Sequence, residues 1–202
     1  MGLKLEYAEG STPLDLNEIE GLIPALGSQG ELNEFEFLNI SEALLWSQRQ
    51  RKAKSQLLSI AMLKEIHLRM FNRTWRWAGK FRKTQKSIGV EAFRISSEIT
   101  NLVEDVKVWI EFKSFSSEEI VARFHHRLVW IHPFSNGNGR HSRLCADLLC
   151  DQNKWPRSVW SADQQISPVE LRKIYIHALQ QADRGFYAPL VSFMFPARTG
   201  LE

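Results

Sequence analysis

The stretch His132-Pro-Phe-Ser-Asn-Gly-Asn-Gly-Arg140 lies between two segments with helical periodicity, and no protein core needs its mixture of residues. Its two glycines, Gly137 and Gly139, allow positive φ angles and can bring successive backbone N–H groups onto one concave face. A helix that begins here adds further free N–H groups and the positive end of its dipole. The sequence therefore predicts an anion site, and phosphate is the usual anion of such sites.

Three side chains indicate what this site could do. Arg140 and Arg143 lie one turn apart on the same helix face, and their guanidinium groups match phosphate oxygens in geometry. His132 stands at the mouth of the loop, and an imidazole with a pKa near neutrality suits a general base. The alternatives are a structural histidine and a pair of exposed helix arginines.

Residues 132–143, HPFSNGNGRHSR, resemble the Fic motif H-P-F-x-(D/E)-G-N-G-R-x-x-R at every position except the acidic one. From roughly Gly30 to Phe195, the GELNE, WAG, IGV and FHHRL stretches also resemble the Fic subfamily called mobile mystery protein B. This resemblance implies a mainly α fold, a Fic-type helical bundle with a small β-hairpin flap. It also implies a protein adenylyltransferase that transfers AMP from ATP to a Ser, Thr or Tyr hydroxyl of a target protein.

The resemblance assigns roles within the motif. His132 would be the catalytic base, and Phe134 would anchor the loop in the core. The nucleotide's phosphates would be bound by Asn136, Gly137, Asn138, Gly139, Arg140 and Arg143. Among these, the Asn138 amide and the backbone N–H groups would reach the α- and β-phosphates, and Arg143 would reach the γ-phosphate.

Asn136 stands where the family has the acid that coordinates Mg²⁺. An amide oxygen can ligate Mg²⁺ but brings no charge, and Mg²⁺ prefers carboxylates and phosphates. Three outcomes follow: weak metal binding mainly through the phosphates, slow turnover, or a related reaction with another donor. We expect the first, because every other motif position is kept.

The pattern changes between Lys80 and Ile95, where Gly89 interrupts short apolar pieces. We predict a small β-hairpin, with an ordinary surface loop as the alternative. In Fic proteins the matching segment holds the target's main chain as an added strand, a mode that needs no particular target sequence. The resemblance thus gives the target-binding flap the candidate residues Arg82, Thr84, Ile88, Gly89, Val90 and Phe93.

Frequent glycine and proline before residue 30 predict an N-terminal arm over 1–30 with a short helix near 16–21, followed by one domain over 31–200. Apolar spacing predicts helices over about 31–49, 56–72, 139–153 and 168–183, and a closing turn over 189–195. Two further helices begin after serine caps, one at Ser96 or Ser97 and one at Ser116 or Ser117. We interpret the basic run 49–54 as a solvated linker.

Composition excludes several classes of function. The 202 residues suffice for one full core, and a net charge of +3 is too small to indicate direct nucleic-acid binding. Cys145 and Cys150 lie five positions apart in one predicted helix, which is poor geometry for a disulfide, so we expect reduced thiols and a cytoplasmic protein. We expect neither a signal peptide nor a membrane span, and no histidine or cysteine spacing resembles a zinc site.

Many Fic proteins carry an inhibitory helix whose glutamate pairs with the motif's second arginine. The nearest match is Gly27-Ser-Gln-Gly-Glu31-Leu32, so Glu31 is a candidate inhibitor of Arg143, with a helix-start carboxylate as the alternative. The subfamily resemblance also implies a helix-turn-helix partner protein. Rival functions are another Fic-type phosphate-group transfer, AMP removal, or a weakly active, toxin-like interaction module of a mobile element.

Overall fold

The computed structural model describes residues 13–49, 57–160 and 166–196. Within these ranges the chain forms helices and no strand, so the predicted mainly α fold is confirmed. The α-helices in chain order are α1 Leu16–Ile19, α2 Gln29–Arg49, α3 Ile60–Phe71, α4 Ile95–Glu111, α5 Ser117–Ile131, α6 Asn138–Asn153, α7 Pro168–Asp183 and α8 Ala188–Met194. A 3₁₀ helix, Ala92–Arg94, precedes α4.

Helices α5 and α6 form the centre of the bundle. Helix α5 packs against α4, α6, α7 and α8, while α6 also contacts α3. Side chains such as Phe124, Leu128, Leu148 and Leu149 on this pair are less than 2% exposed, so most of the apolar surface they carry is removed from water. The connection between α5 and α6 is the predicted anion loop, which therefore rests on the most completely buried part of the fold.

Helix α2 packs on α3 through polar as well as apolar side chains. The amide Nδ2 of Asn39 donates to the carbonyl of Arg69 (3.1 Å), and its Oδ1 accepts from the backbone N–H of Arg73 (3.0 Å). Asn39 is 3% exposed, so these bonds satisfy a buried amide and fix where α2 lies.

Two features of the predicted secondary structure are wrong. Residues 80–95 form no β-hairpin, because Arg82 N–H donates to Pro133 O (2.9 Å) and Val90 N–H donates to Ile131 O (3.3 Å), so this segment bonds to the loop instead of to itself. Helix α4 begins at Ile95 with no side-chain cap, so Ser96 and Ser97 lie inside its first turn. The cap at Ser116, by contrast, is confirmed, since its Oγ accepts from Glu119 N–H at 3.2 Å.

The described part of the N-terminal arm packs on the domain. Ile23 N–H donates to Thr74 O (2.9 Å) and Arg76 N–H donates to Gly21 O (2.8 Å), next to an isolated antiparallel bridge between Leu22 and Trp75. Residues 1–12, the linker residues 50–54 and the last residues of the predicted domain, 197–200, lie outside the described ranges. No helix in those ranges has the length and apolar character that a membrane crossing requires.

Candidate active site

The loop between α5 and α6 has a positive φ at Gly137 but not at Gly139, so the expected positive φ is confirmed at one of the two glycines. Gly137 has a φ of +77° and is the residue before α6, and a Cβ built on it would lie 2.5 Å from the Phe71 ring. Only glycine fits this position without displacing that ring. No side chain caps α6, so the N–H groups of its first turn keep their ability to bind an anion.

Asn138 closes the loop on itself. Its Oδ1 accepts from Phe134 N–H (2.9 Å) and its Nδ2 donates to Phe134 O (2.8 Å). Asn138 is 3% exposed and Phe134 is fully buried. The Asn138 amide therefore holds the loop together instead of facing a phosphate, which differs from the role that the motif resemblance implied for its side chain.

A histidine that the sequence analysis did not single out supports the loop from α3. The His67 ring stacks on Phe134 with centroids 3.7 Å apart, and its Nε2 bonds to Asn136 O (3.1 Å). Gly79 N–H donates to His67 Nδ1 (3.0 Å), so the ring proton belongs on Nε2, which donates to Asn136 O. Burial lowers the pKa of His67 well below its usual value, which keeps this bridge neutral.

No signal in the sequence marked His67 apart from its place on the apolar face of a helix. A histidine at such a position is ordinarily a core residue, and only the packing of α3 against the loop reveals its contact with Asn136.

His132 ends α5 in a left-handed conformation, with a φ of 54° and a ψ of 58°. Arg82 fixes this unusual backbone, because its Nε donates to His132 O at 2.7 Å, its Nη1 to Thr84 O at 2.9 Å and its Nη2 to Val90 O. The guanidinium is buried, and its three nitrogen atoms donate hydrogen bonds to backbone carbonyls. A Cβ built on Gly89 would lie 2.6 Å from His132 Cβ, so the Gly89 backbone packs directly on the histidine.

This environment makes His132 a neutral imidazole at pH 7. Burial, followed by the positive charges of Arg82 and Lys86, lowers its pKa to about 4, against a smaller opposing hydrogen bond with the Val129 backbone. His132 is 7% exposed, so bulk water has little access to the ring. An unprotonated imidazole in such a place can accept a proton from a hydroxyl.

Arg140 is held by a carboxylate from α2. Its Nη1 lies 2.6 Å from Glu36 Oε2, and the guanidinium sits over the Phe71 ring at 5.0 Å. Glu36 is 7% exposed and its Oε1 accepts from Trp75 Nε1 at 2.7 Å. The arginine side chain itself remains 43% exposed, so an anionic ligand can reach it in competition with Glu36.

Arg143 packs between two aromatic rings. Its guanidinium lies 4.7 Å from the Tyr175 ring and 5.3 Å from the Trp160 ring. Tyr175 OH bonds to His125 Nε2 at 2.9 Å, so a buried residue of α5 holds the tyrosine. Such stacking orients a guanidinium and leaves its N–H donors in a fixed plane.

Glu31, the predicted inhibitor, does not meet Arg143. Its Oε2 accepts from the N–H groups of Gly27 (2.6 Å) and Ser28 (3.2 Å) at the start of α2. Within the described ranges, the carboxylate that pairs with a motif arginine belongs to Glu36, and the arginine is Arg140.

The six candidate flap residues have three kinds of surroundings. Arg82 and Val90 are buried, whereas Gly89 is exposed and packs on His132. Ile88 is 46% exposed and Phe93 is 84% exposed, so their side chains are available to a partner. Thr84 Oγ1 bonds to Glu18 Oε1 (3.4 Å), which ties the segment to α1.

Lys86 makes a second tie between this segment and α1. It forms an ion pair with Glu18 and lies 3.7 Å from Asp15, and its side chain is only 6% exposed. The position of the segment beside His132 is therefore fixed from the arm as well as from the loop.

Space for a ligand lies beside the first turn of α6. A Cβ built on Gly139 would meet no atom within 4 Å, in contrast to Gly137. A separate cavity of about 390 Å³, lined in part by Lys113, Asn153 and Trp155, lies at the other end of α5 and α6. That cavity is roughly 22 Å from His132, the length of 15 helical residues, so it is not part of this site.

The residues around the loop do not build a metal site by themselves. In the ranges that the structure covers, no three His, Cys, Asp or Glu side chains are grouped closely enough to hold an ion. Asn136 Oδ1 accepts from Gly137 N–H at 2.5 Å, so the amide oxygen at the family's metal position already has a donor. A protein-held Mg²⁺ therefore does not fit these residues.

Known proteins resemble the domain that surrounds this loop. Residues 57–150 match the model of the Fic/DOC family. The chain is 28% identical over 167 residues to the protein adenylyltransferase Fic of Aedes aegypti, covering 79% of this chain and 31% of that protein. It is 30% identical over 141 residues to protein adenylyltransferase fic-1 of Caenorhabditis briggsae, covering 68% and 26%. The chain thus spans about a third or less of these relatives' length.

Solved structures share the fold. BepC of Bartonella tribocorum, crystallised with bound AMPPNP, has a TM-score of 0.68 at 18% identity, with 89% of this chain and 96% of that chain covered. Fic-1 of C. elegans, residues 134–508, has a TM-score of 0.62 at 24% identity, with 87% and 50% covered. At these identities the similarity establishes the helical architecture.

Proposed function

Because residues 57–150 match the model of the Fic/DOC family, we propose that the chain is a protein adenylyltransferase that transfers AMP from ATP to a hydroxyl of a target protein. One observation carries the proposal: a buried, neutral His132 begins a loop that ends in an uncapped helix N-terminus, where Gly139 borders open space. The curated relatives that are named protein adenylyltransferases support the same activity.

The proposed reaction is an in-line displacement at phosphorus. The target's hydroxyl oxygen bonds to the α-phosphorus of ATP, the bond to the bridging oxygen breaks, and pyrophosphate leaves. His132 accepts the hydroxyl proton as the new bond forms. The first-turn N–H groups of α6 stabilise the negative charge that grows on the phosphate oxygens, and they need no rearrangement to do so.

ATP is the proposed co-substrate. The domain's fold is that of BepC with bound AMPPNP and of a Bartonella quintana Fic domain with bound ADP, which supports an adenine nucleotide here. Arg143, oriented by Tyr175 and Trp160, would bind the γ end of the triphosphate. Arg140 would exchange its pairing with Glu36 for one with phosphate.

We also propose that Mg²⁺ arrives with the nucleotide and is held mainly by its phosphates, with low affinity. Asn136 would supply at most one neutral oxygen, and it would first have to release Gly137 N–H.

The segment 82–93 is the proposed binding surface for the target. Backbone groups along it would pair with an extended peptide, while the exposed Ile88 and Phe93 side chains offer apolar contacts next to the loop. The target itself is a protein with a hydroxyl side chain in an extended or locally unfolded segment.

We further infer membership of the mobile mystery protein B subfamily, on the sequence stretches that resemble it, and with it a helix-turn-helix partner protein. Two free, buried cysteines support a reducing location such as the cytoplasm.

A second candidate function rests on Asn136 and on the Glu36–Arg140 pair. A neutral residue at the metal position and a carboxylate on a phosphate-binding arginine both favour low turnover, as in a weakly active interaction module. Another phosphate-group transfer by the same loop is the related alternative.

One experiment separates these functions. The purified protein and its His132→Ala variant are incubated with a cell lysate and with ATP labelled at either the α- or the γ-phosphate. Protein labelled from the α position by the wild type, and not by the variant, supports AMP transfer. Label from the γ position alone would contradict it in favour of kinase-type chemistry, and no label at all would favour the interaction module.

A further inference from the structure

The outer face of α2 carries large apolar side chains that the described fold does not cover. Phe37 is 67% exposed, Leu38 55%, Leu44 40% and Leu45 53%. We call these four residues the α2 outer stripe. They fall within nine consecutive positions on one helix, at spacings that bring them to one side of it. Several large exposed apolar side chains on one side of a helix can mark an interaction site.

The opposite face of α2 is more polar than the outer one. The buried residues of this helix are Leu32, Glu36, Asn39, Ala43 and Ser47. A surface helix of a monomer normally shows the reverse arrangement, with its apolar stripe inward and its polar face in water. Burial against α3 therefore does not account for the leucines and the phenylalanine that point outward.

Charge is arranged symmetrically about the α2 outer stripe. At 100° per residue, Glu34, Leu38, Leu45 and Arg49 lie within about 60° of each other around the helix. Glu34 comes four residues before Leu38, and Arg49 comes four residues after Leu45. Among the described residues neither Glu34 nor Arg49 takes part in an ion pair, and both residues are exposed.

We propose that the α2 outer stripe is the interface of a two-fold symmetric homodimer in which the two α2 helices cross in antiparallel directions. A two-fold axis near positions 41 and 42 sets Leu38 of one copy against Leu45 of the other. The same axis sets Glu34 against Arg49, twice. A surface that complements itself in both apolar pattern and charge is what an isologous interface requires.

The proposed interface leaves the loop accessible. Glu36, which pairs with Arg140, belongs to the buried face of α2, and the stripe lies on the other face of the same helix. The dimer therefore does not depend on the proposed adenylyltransferase activity and can be tested without it.

The first test measures mass. Sedimentation equilibrium of the wild type between roughly 1 and 100 μM is expected to show a transition from 23.4 kDa to twice that mass. A Leu38→Glu/Leu45→Glu variant should remain monomeric throughout. A Val108→Glu/Phe112→Glu variant is the matched control, since those residues are 48% and 69% exposed at the C-terminal end of α4, and it should dimerise like the wild type. Circular dichroism checks that all variants are folded.

The second test is a charge exchange. Glu34→Arg alone and Arg49→Glu alone should each weaken the dimer about ten-fold, because each places like charges opposite one another at two symmetric positions. The variant with both changes should regain wild-type affinity. A wild type that stays monomeric at 100 μM overturns the proposal, and so does a double exchange that fails to restore binding.

Discussion

At the scale of single residues, the arrangement around His132 depends most on Arg82. A non-glycine residue with positive φ is uncommon, and the structure keeps His132 there by bonding its carbonyl to a buried guanidinium. Arg82 has two effects that can be separated: three hydrogen bonds that hold the backbone, and one positive charge that lowers the pKa of His132.

Replacing Arg82 by Met or by Lys should separate those effects. Arg82→Met removes both, so the pKa of His132 should rise toward its usual value and the protein should lose about 3 kcal/mol of unfolding free energy. Arg82→Lys keeps the charge and loses most of the bonds, so the pKa should change much less while stability falls. Histidine NMR titration and urea unfolding measure the two quantities. Equal pKa values in both variants would contradict a role for the charge.

Asn136 offers a second test at this scale. Asn136→Asp restores the family's acid and gives Mg²⁺ a charged oxygen, so the Mg²⁺ concentration needed for half-maximal AMP transfer should fall about ten-fold. Nucleotide binding measured without the metal should fall, because the new carboxylate repels phosphate. Unchanged metal dependence would show that position 136 does not set metal affinity.

At the scale of elements, the N-terminus of α6 explains why two neighbouring glycines are not equivalent. Gly137 has positive φ and packs against Phe71, whereas Gly139 lies within α6 and borders open space. Gly137→Ala should destabilise the fold by about 2 kcal/mol through strain and the clash with the ring. Gly139→Ala should leave the unfolding midpoint unchanged and weaken ATP binding, because its methyl group occupies the space beside the phosphate site. Thermal unfolding and calorimetric titration distinguish them, and the reverse ranking would contradict this account.

The same element shows which structural features can be predicted from the sequence alone. Glycine spacing and helical periodicity correctly predicted the loop and, to within a residue or two, the bounds of α6, α7 and α8. They failed for residues 80–95, because the apolar alternation that resembles a hairpin reflects burial of Val90 and bonding to Ile131 and Pro133. Local pattern cannot reveal pairing with a segment fifty residues away.

Long-range side-chain contacts escaped prediction for the same reason. Glu36 and Arg140 are 104 positions apart, and His67 and Asn136 are 69 apart. His141 is fully buried, and its Nε2 bonds to Leu63 O at 2.9 Å, 78 positions away. Nothing in residue type or spacing marks these pairs.

At the scale of the whole molecule, buried histidines make stability depend on pH. Burial lowers the pKa of His125 to about 3 and that of His132 and His141 to about 4. The unfolded chain binds these protons near pH 6.5 and the folded chain does not, so unfolding free energy is greatest above pH 6.5 and falls as pH drops toward 4. The loss should be roughly 1.4 kcal/mol per pH unit for each such histidine. Chemical denaturation at pH 7.5, 6.0 and 5.0 measures it, and a flat profile would contradict the buried, neutral state of these rings.

The closed ring that Asn138 forms with the Phe134 backbone, together with the bond from His67 to Asn136, has a kinetic consequence. The loop adopts its shape when the chain folds, so a nucleotide meets a rigid receptor and no slow ordering step follows the encounter. Stopped-flow mixing with a fluorescent ATP analogue should give one exponential phase whose rate rises linearly with analogue concentration, without reaching a plateau.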